Sequence, residues 1–383
     1  MTRKKRRLSL RKEANLSQLR VILSGGGTGG HIFPAVSIAN QIKKQVPDAE
    51  ILFVGALGRM EMEKVPAAGY KIIGLWISGL QRKLTLSNLS FPFKVISSVL
   101  KAKKILKDFK PHVVIGTGGY ASGPMLRAAS SKGIPTLIQE QNAYPGITNK
   151  LLAKKVSVIC TGCDGMEKFF PKEKIVFTGN PVRQDISGIE DKRKAGMEFF
   201  GLDPNKKVLL VVGGSLGAKG INEAMGANLQ LLADNDIQLL WQTGKVYIET
   251  AKQQVSSFGA KNIKALDFIT KMDLAYAVAD CVVSRAGAGA VAELCIIRKP
   301  SILVPLPTAA EDHQTKNAMA LVDKNAAILV KDIEAKSKLV QEAVALMNNE
   351  AKQNELKQNI AKCAMPNAVE KITEEVFKLV KLK

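Results

Sequence analysis

The sequence predicts an α/β protein built from two doubly wound parallel-sheet domains. Apolar, strand-like runs alternate with helix-like segments in two successive series, and the runs lack the apolar–polar alternation of half-exposed strands. A glycine-rich turn follows the first run of each series, at residues 25–30 and 213–218. The length of 383 residues exceeds what one hydrophobic core usually supports. These observations favour two domains, each with helices on both faces of its sheet.

A polar stretch divides the strand-like runs into their two series. The first series comprises residues 21–23, 51–54, 72–75, 113–115, 136–138, 156–159 and 175–177. After a charged segment through Lys194, the alternation restarts with residues 208–212, 237–241, 263–266, 281–284, 302–304 and 326–330. We therefore predict a basic arm at residues 1–18, domains at 19–181 and 182–366, and a final helix at 367–383. The apolar face of that helix comprises Val369, Ile372, Val376, Phe377 and Val380.

The formal net charge of +22 indicates a polyanionic partner, such as nucleic acid, anionic lipid head groups or a phosphorylated substrate. The first 18 residues are rich in Lys and Arg, but no apolar stretch follows that could form the core of a signal peptide. We therefore expect a cytoplasmic chain with a disordered basic arm. No apolar run approaches the roughly 20 residues that span a bilayer, so any membrane contact would be peripheral. The five cysteines lie mostly in apolar runs, which predicts reduced, buried thiols.

Residues 76–104 interleave apolar and basic side chains. The apolar residues include Trp76 and Leu80, and the basic residues include Lys101, Lys103 and Lys104. An apolar patch beside a basic cluster is typical of a surface that docks on an anionic membrane. The alternative is a loop and helix packed on the domain core with a solvated lysine face, and the spacing of the residues fits both.

Four glycine-rich turns follow strand-like runs. The turn at residues 25–30 matches the dinucleotide-binding pattern G-x-G-x-x-G, but the acidic residue expected about 20 residues later is missing after residues 51–54. No Gly-Lys-Ser/Thr follows this turn or the one at 213–218, which excludes a P-loop. Two further turns lie at residues 116–123 and 285–289. One such turn can be a tight connection, but four of them favour one or two phosphate-rich ligands.

Several side chains near these turns are candidates for chemistry. His31, directly after the first turn, can act as a general base toward a hydroxyl or can bond to backbone or phosphate. Glu293, in the helix after the fourth turn, can accept both hydroxyls of a ribose or can be a surface charge. Polar side chains suited to sugar hydroxyls cluster at residues 139–142 and 312–317.

Two local patterns resemble metal sites and are rejected. Cys160 and Cys163 have the spacing of a redox or metal pair, but no second pair and no nearby histidine accompany them. Asp234 and Asp236 resemble a metal-binding D-x-D pair, yet they precede a strand, where a turn is expected. We therefore predict neither a metal ion nor another cofactor.

Taken together, the motifs at residues 25–35, 116–124, 139–142, 179–183, 213–218 and 312–314 resemble those of the MurG family. These family 28 glycosyltransferases add N-acetylglucosamine to the undecaprenyl-linked muramyl-pentapeptide precursor of peptidoglycan. The resemblance covers residues 19–380 and implies a GT-B fold, in which two Rossmann-like domains face an interdomain cleft. The N-terminal domain would bind the acceptor and the C-terminal domain UDP-N-acetylglucosamine. The last helix would pack back on the N-terminal domain.

The resemblance also implies roles for individual residues. The donor would contact Thr28, Gly29, Gly30, Asn142, Arg183, Ser215, Ile269, Ala288, Gly289, Ala290, Val291, Ala292, Glu293 and Gln314. The acceptor pyrophosphate would lie on Gly27, Gly118, Gly119 and Tyr120. Within the donor set, Ser215 and the fourth turn would hold the pyrophosphate, Glu293 the ribose, and the backbone of Ile269 the uracil. Asn142 and Gln314 would bind the sugar, although the sequence around Gln314 departs from the Gln-Gln form of some relatives.

The implied reaction is a single displacement with inversion, in which the muramyl 4-hydroxyl attacks, UDP leaves and a β linkage forms. His31 is the first candidate for the base and Glu140 the second. Helix N-termini and Arg183 would offset the charge of the departing diphosphate without an obligatory metal. Because the acceptor's polyprenyl chain stays in the bilayer, the resemblance favours the membrane interpretation of residues 76–104. It implies a peripheral protein on the cytoplasmic face of the inner membrane.

Other functions fit parts of the pattern. Another UDP-sugar enzyme of the same fold, such as a diacylglycerol galactosyltransferase or a UDP-sugar epimerase, would share the nucleotide-binding turns. From a different class, a nucleic-acid-binding protein would share the positive charge. Against it stand an aromatic content of 5% and the lack of a recognised nucleic-acid-binding motif. We therefore predict no nucleic-acid partner.

Overall fold

The computed structural model describes residues 19–79, 91–186, 188–259 and 262–381. They form two compact units. One unit comprises the described residues up to Val182 together with those from Asn367 onward, and the other comprises Arg183–Pro366. Each unit contains one sheet in which all paired strands run parallel, so the predicted pair of parallel-sheet domains is confirmed. The predicted basic arm and Leu80 lie outside the described residues.

The first unit contains a seven-stranded sheet in the order β3-β2-β1-β4-β5-β6-β7. Its strands are β1 (Arg20–Gly25), β2 (Glu50–Ala56), β3 (Lys71–Leu75), β4 (Val113–Gly118), β5 (Thr136–Glu140), β6 (Val158–Thr161) and β7 (Ile175–Phe177). Its helices are α1 (Gly29–Gln45), α2 (Glu61–Ala67), α3 (Phe91–Phe109), α4 (Ser122–Ser131) and α5 (Ile147–Leu152). The strand order reverses between β1 and β4, which is where open α/β sheets bind ligands.

The second unit contains a six-stranded sheet in the order β10-β9-β8-β11-β12-β13. Its strands are β8 (Val208–Val212), β9 (Gln238–Gln242), β10 (Ile263–Leu266), β11 (Cys281–Ser284), β12 (Ser301–Leu303) and β13 (Ile328–Leu329). Its helices are α6 (Arg193–Phe200), α7 (Lys219–Ala227), α8 (Leu229–Asp234), α9 (Ile248–Phe258), α10 (Met272–Val278), α11 (Ala288–Ile297), α12 (His313–Val322), α13 (Ala335–Met347) and α14 (Glu350–Ala361). Here the order reverses between β8 and β11.

The last helix, α15 (Ala368–Lys381), packs against α1 of the first unit. Ile372 and Val376 are fully buried in the same apolar cluster as Ile38. Burying one aliphatic side chain of this size contributes about 1.5–3 kcal/mol, so the two residues anchor the helix by several kcal/mol. The apolar stripe predicted for this segment is therefore its packing face.

Two strand predictions needed adjustment. The run predicted at residues 156–159 forms a strand two residues later, because Cys160 and Thr161 pair with Val176 and Phe177 of β7. The run at residues 326–330 pairs with β12 through Ile328 and Leu329. Within the described ranges, no helix combines the length and the apolar character needed to cross a bilayer.

Candidate functional site

The first glycine turn, between β1 and α1, is held by a buried carboxylate. Gly27 has a φ of +84°, which glycine adopts without strain. Its N–H donates to Oε2 of Glu61 over 2.9 Å, and the N–H of Ala56 donates to Oε1 of the same side chain over 2.9 Å. A Cβ on Gly26 would overlap the Glu61 carboxylate. Glu61 therefore holds in place the turn that leads to Thr28 and the start of α1. No sequence motif distinguishes this glutamate.

The third glycine turn lies beside the first. Gly118 and Gly119 have φ values of +101° and +81°. A Cβ on Gly119 would overlap the carbonyl oxygen of Gly26, and a Cβ on Gly118 would lie 2.8 Å from the ring of His31. The structure thus brings together the first glycine turn, the start of α1 and the turn after β4. Tyr120 is half-exposed and lies against Gly79.

His31 lies in the first turn of α1 and is partly buried. Its carbonyl oxygen accepts a hydrogen bond from Oγ1 of Thr117 over 2.8 Å. Its Nδ1 lies 3.1 Å from Oε1 of Gln141, which follows the end of β5. In the described part of the chain, Nε2 of His31 has no hydrogen-bond partner. Of the two ring nitrogens, Nε2 is therefore available to a substrate hydroxyl.

Glu140, the second candidate base, is buried, and each of its carboxylate oxygens accepts two hydrogen bonds. Its Oε1 accepts from N and Nδ2 of Asn142 over 3.0 and 3.3 Å. Its Oε2 accepts from the N–H of Gly146 over 3.1 Å and from Nδ2 of Asn149 over 2.8 Å. With four hydrogen bonds, this carboxylate orders the loop after β5 and orients Asn142, the predicted sugar-binding residue. The arrangement suits proton transfer by His31 better than by Glu140.

In the second unit, the turn after β8 has two glycines with positive φ, Gly214 at +87° and Gly217 at +80°. Ser215, predicted to bind the donor pyrophosphate, lies between them and is exposed. Gln242, at the end of β9, joins this turn to the predicted uracil site. Its Nε2 donates to the carbonyl of Gly214 over 3.0 Å, and its Oε1 accepts from the N–H of Ile269 over 2.9 Å. The N–H of Ile269 is thus occupied, and its carbonyl oxygen is the backbone group that remains for the predicted contact with uracil.

Glu293 projects from α11, whose first turn contains the predicted donor contacts Ala288, Gly289, Ala290, Val291 and Ala292. Its Oε1 accepts from Nε of Arg183 over 3.1 Å, and its Oε2 accepts from the hydroxyl of Tyr276 over 2.8 Å. Burial raises the pKa of the Glu293 carboxyl, and the Arg183 guanidinium opposes that rise. Burial and the neighbouring Glu293 also raise the pKa of Tyr276. A carboxylate held this way is not a solvated surface charge.

Gln314, in the first turn of α12, is partly engaged. Its Oε1 accepts from the N–H of Leu306 over 2.9 Å, which leaves its amide N–H groups for a sugar. Asp312 caps the same turn in the left-handed region, with a φ of +51°, and accepts from Oγ1 of Thr315 over 2.7 Å. In the polar cluster at residues 312–317, Gln314 therefore keeps its amide N–H groups for a ligand, whereas Asp312 and Thr315 form the turn.

Helix α3 exposes an apolar stripe, since Phe93, Ile96 and Leu100 are 69%, 59% and 61% exposed. Trp76 is half-exposed as well, and the side chains of Lys103 and Lys104 are exposed. The opposite face of α3 packs on the core through Ser98, Ala102, Ile105 and Leu106.

Lys101 differs from the other lysines predicted to face a membrane. Its Nζ donates to the carbonyl of Gly74 over 2.7 Å, so this amine stabilises the end of β3. Of the three lysines predicted to face a membrane, Lys101 therefore has a structural role in the first unit.

The two rejected metal patterns have structural roles. Cys160 is buried in the core beneath α15, where burial raises the pKa of its thiol. Asp234 ends α8 and accepts from Gln230 over 2.6 Å, while Asp236 forms an ion pair with Lys206 over 2.6 Å. The described ranges hold no group of three His, Cys, Asp or Glu side chains placed to ligate a metal ion.

Two residues that the sequence did not select as functional contact the predicted site. They are Glu61, which holds the first turn, and Tyr276, which contacts Glu293. Gln141 belongs to the polar cluster predicted at residues 139–142, but it contacts His31, a partner that the sequence did not indicate. A glutamate at the start of a short helix after β2 carries no local pattern that distinguishes it from a polar surface residue. The partners of these side chains come from other elements of the fold.

Comparisons with known proteins show the family of the chain. The model of the glycosyltransferase family 28 N-terminal domain matches residues 21–161, and that of the C-terminal domain matches residues 208–375. A protein of Cytophaga hutchinsonii named UDP-N-acetylglucosamine–N-acetylmuramyl-(pentapeptide) pyrophosphoryl-undecaprenol N-acetylglucosamine transferase is 57% identical, over 94% of this chain and 97% of its own. A protein of the same name from Phocaeicola vulgatus is 56% identical, over 94% of this chain and 96% of its own.

Among solved structures, the crystal structure of Acinetobacter baumannii MurG matches with a TM-score of 0.79 and 30% identity, over 94% of this chain and 99% of that one. The two parallel-sheet units and this likeness show the GT-B fold. The domain models together cover well over half of the chain, and the identities extend nearly end to end. The chain belongs to glycosyltransferase family 28.

Proposed function

We propose that this protein transfers N-acetylglucosamine from UDP-N-acetylglucosamine to the muramyl 4-hydroxyl of undecaprenyl-pyrophosphoryl-muramyl-pentapeptide, with inversion at the anomeric carbon. The observation that carries the proposal is the placement of His31, with Nε2 available, where two glycine turns meet at the switch point of the first sheet. The names of the relatives support the same donor and acceptor.

The two units divide the substrates. Residues 19–181 would bind the acceptor, whose pyrophosphate would lie on the N–H groups around Gly27, Gly118 and Gly119. Residues 182–366 would bind the donor. Glu293, ionised and held by Tyr276, would accept the ribose hydroxyls, and the turn at Ser215 would hold the diphosphate.

In the proposed step, a lone pair of the muramyl 4-hydroxyl oxygen forms a bond to the anomeric carbon as the bond from that carbon to UDP breaks. Nε2 of His31 takes the hydroxyl proton, and UDP leaves with the bonding electron pair. Arg183 and the N-termini of α7 and α11 would offset the charge that develops on the diphosphate. For Glu293 to take the ribose, its contact with Arg183 must open or be shared, which frees that guanidinium for a phosphate.

The exposed stripe of α3, with Trp76, Lys103 and Lys104, supports a peripheral membrane surface. Apolar side chains would enter the head-group region, and the lysines would pair with anionic lipids. An acceptor whose undecaprenyl chain stays in the bilayer requires such contact. We therefore place the protein on the cytoplasmic face of the inner membrane, in peptidoglycan synthesis.

An acceptor panel tests this function against its rivals. Purified protein is given labelled UDP-N-acetylglucosamine with a lipid-linked muramyl-pentapeptide analogue, with diacylglycerol, or alone. We expect label in the muramyl product, no glycolipid from diacylglycerol, and no epimerised donor. Transfer to diacylglycerol or epimerisation of the donor would overturn the proposal. His31→Ala and Glu293→Ala variants should respectively lower kcat and raise the Michaelis constant for the donor.

A further inference from the structure

Three buried amide side chains, which we call the amide relay, lead from the carboxyl end of the first sheet to His31. They are Asn180, Gln139 and Gln141, which are 6%, 0% and 3% exposed. Gln139 lies in β5, Gln141 directly after it, and Asn180 after β7. Gly162, just past β6, leaves the space that Asn180 occupies, because a Cβ there would overlap the Asn180 amide. Buried amides must satisfy both their donors and their acceptors, so the orientation of each one is decided by its neighbours.

The hydrogen bonds run in one direction along the relay. Nδ2 of Asn180 donates to the backbone carbonyl of Gln141 over 2.9 Å, which turns Oδ1 of Asn180 toward Gln139. That oxygen accepts from Nε2 of Gln139 over 3.0 Å. Oε1 of Gln139 then accepts from Nε2 of Gln141.

Backbone carbonyl groups independently determine the orientation of the last amide, that of Gln141. Nε2 of Gln141 also lies 2.9 Å from the carbonyl oxygens of Thr117 and Gln139. A reversed amide would place its oxygen against three acceptors and leave buried polar groups unsatisfied, which is unfavourable. Oε1 of Gln141 therefore faces Nδ1 of His31, 3.1 Å away.

We propose that the amide relay sets the tautomer of His31. Because Oε1 of Gln141 is an acceptor only, Nδ1 of neutral His31 carries the proton, and the lone pair lies on Nε2. After Nε2 takes a proton, the same oxygen still accepts from Nδ1 of the imidazolium. Gln141 is thus a positioning residue for the base. The role of the relay in catalysis rests on the proposed function, whereas the tautomer of His31 does not depend on that function.

The other histidines provide internal standards. The chain has three histidines. Nδ1 of His112 accepts from the N–H of Arg20 over 3.0 Å, so neutral His112 must carry its proton on Nε2. Nδ1 of His313 lies 2.6 Å from the carbonyl of Ala310, so neutral His313 must carry its proton on Nδ1. One spectrum should therefore contain both tautomers at known residues.

The test is NMR spectroscopy of the full-length protein labelled with ¹⁵N-histidine, since the two nitrogens of each ring report its tautomer directly. We expect the Nδ1–H form for His31 and the Nε2–H form for His112. In Gln141→Met, we expect His31 to lose its preference for Nδ1–H while His112 keeps its tautomer. Gln139→Met, one step further back, should weaken the same preference and serves if the first variant does not fold.

Gln41 offers a matched control for these variants. It is a buried glutamine of α1 in the same unit, 5% exposed, and its Oε1 has no hydrogen-bond partner in the described part of the chain. Gln41→Met should leave the His31 tautomer and the transfer rate unchanged. Gln141→Met should lower kcat by roughly 10–100-fold, because a base with its proton on the wrong nitrogen cannot accept another there.

An Nε2–H form of His31 in the parent protein would overturn the relay, as would an unchanged tautomer in both Gln141→Met and Gln139→Met. If Gln141→Met changes the tautomer while transfer continues at the parent rate, the relay stands. In that case the role of His31 as the base is refuted.

Discussion

Replacing Glu61 should loosen the first glycine turn and destabilise the first unit. The fully buried carboxylate accepts two backbone hydrogen bonds, from Gly27 and Ala56, which join the turn to the end of β2. Hydrogen bonds to a charged acceptor contribute about 1.5–3 kcal/mol each, and Glu61→Ala leaves both donors unsatisfied. Release of a buried charge offsets part of that loss, so we expect a cost of about 3–5 kcal/mol. Glu61→Gln retains one acceptor oxygen and should cost about 1.5–3 kcal/mol.

Hydrogen exchange followed by mass spectrometry measures this cost in the unit concerned, through peptides from β1, α1 and β2. Because α1 carries His31, a displaced turn should also lower kcat/KM of transfer by roughly 100-fold. Glu63→Gln is the matched control, since Glu63 lies on the same helix, is 78% exposed and pairs with its neighbour Lys64. It should change neither exchange nor transfer. Equal hydrogen exchange in Glu61→Ala and Glu63→Gln would refute the role of Glu61 in holding the first turn.

Three further predictions concern the donor site and the membrane surface. Tyr276→Phe removes a hydrogen bond to the Glu293 carboxylate that contributes about 1.5–3 kcal/mol. Titration calorimetry should therefore show UDP binding weakened by roughly 10-fold or more, and an unchanged affinity would contradict the role of Tyr276. Burial raises the pKa of Glu293, and the ribose requires its ionised form, so the dissociation constant of the donor should rise as the pH falls through that raised pKa. A parallel rise in Glu293→Gln would show that another group is responsible. The double variant Lys103→Gln/Lys104→Gln should bind anionic vesicles about 30-fold more weakly, at about 1 kcal/mol per lysine. The control Lys44→Gln, which changes an exposed lysine in the last turn of α1, should bind as the parent does. Equal binding by all three proteins would remove Lys103 and Lys104 from the membrane surface.

The strands of both sheets were predictable from the sequence, because buried parallel strands are continuous apolar runs and glycine turns mark their carboxyl ends. The exceptions have local causes. Residues 156–159 contain apolar side chains on both sides of Ser157, and pairing with β5, which starts at Val158, decides where the strand begins. The positions of the glycine turns that carry the candidate site residues were predictable for the same reason as the strands.

The roles of individual charges were less predictable, because their partners are distant in sequence. Glu61 bonds to Gly27, 34 residues earlier, and Lys101 bonds to Gly74, 27 residues earlier. A glutamate or lysine on an amphipathic helix gives no local sign of such a partner. Glu140 was ambiguous for a different reason. Its donors lie only two to nine residues away, but a place in a polar cluster suits a base as well as a residue that orders a loop.

The most direct test of the proposed function is the linkage in the product. Purified protein is incubated with UDP-N-acetylglucosamine and a lipid-linked muramyl-pentapeptide analogue, and the new glycosidic bond is examined by NMR. We predict a β linkage to the muramyl 4-hydroxyl, formed at a rate that His31→Ala lowers by about 100-fold or more. No transfer, an α linkage, or a bond to another hydroxyl would contradict an inverting displacement by the muramyl 4-hydroxyl.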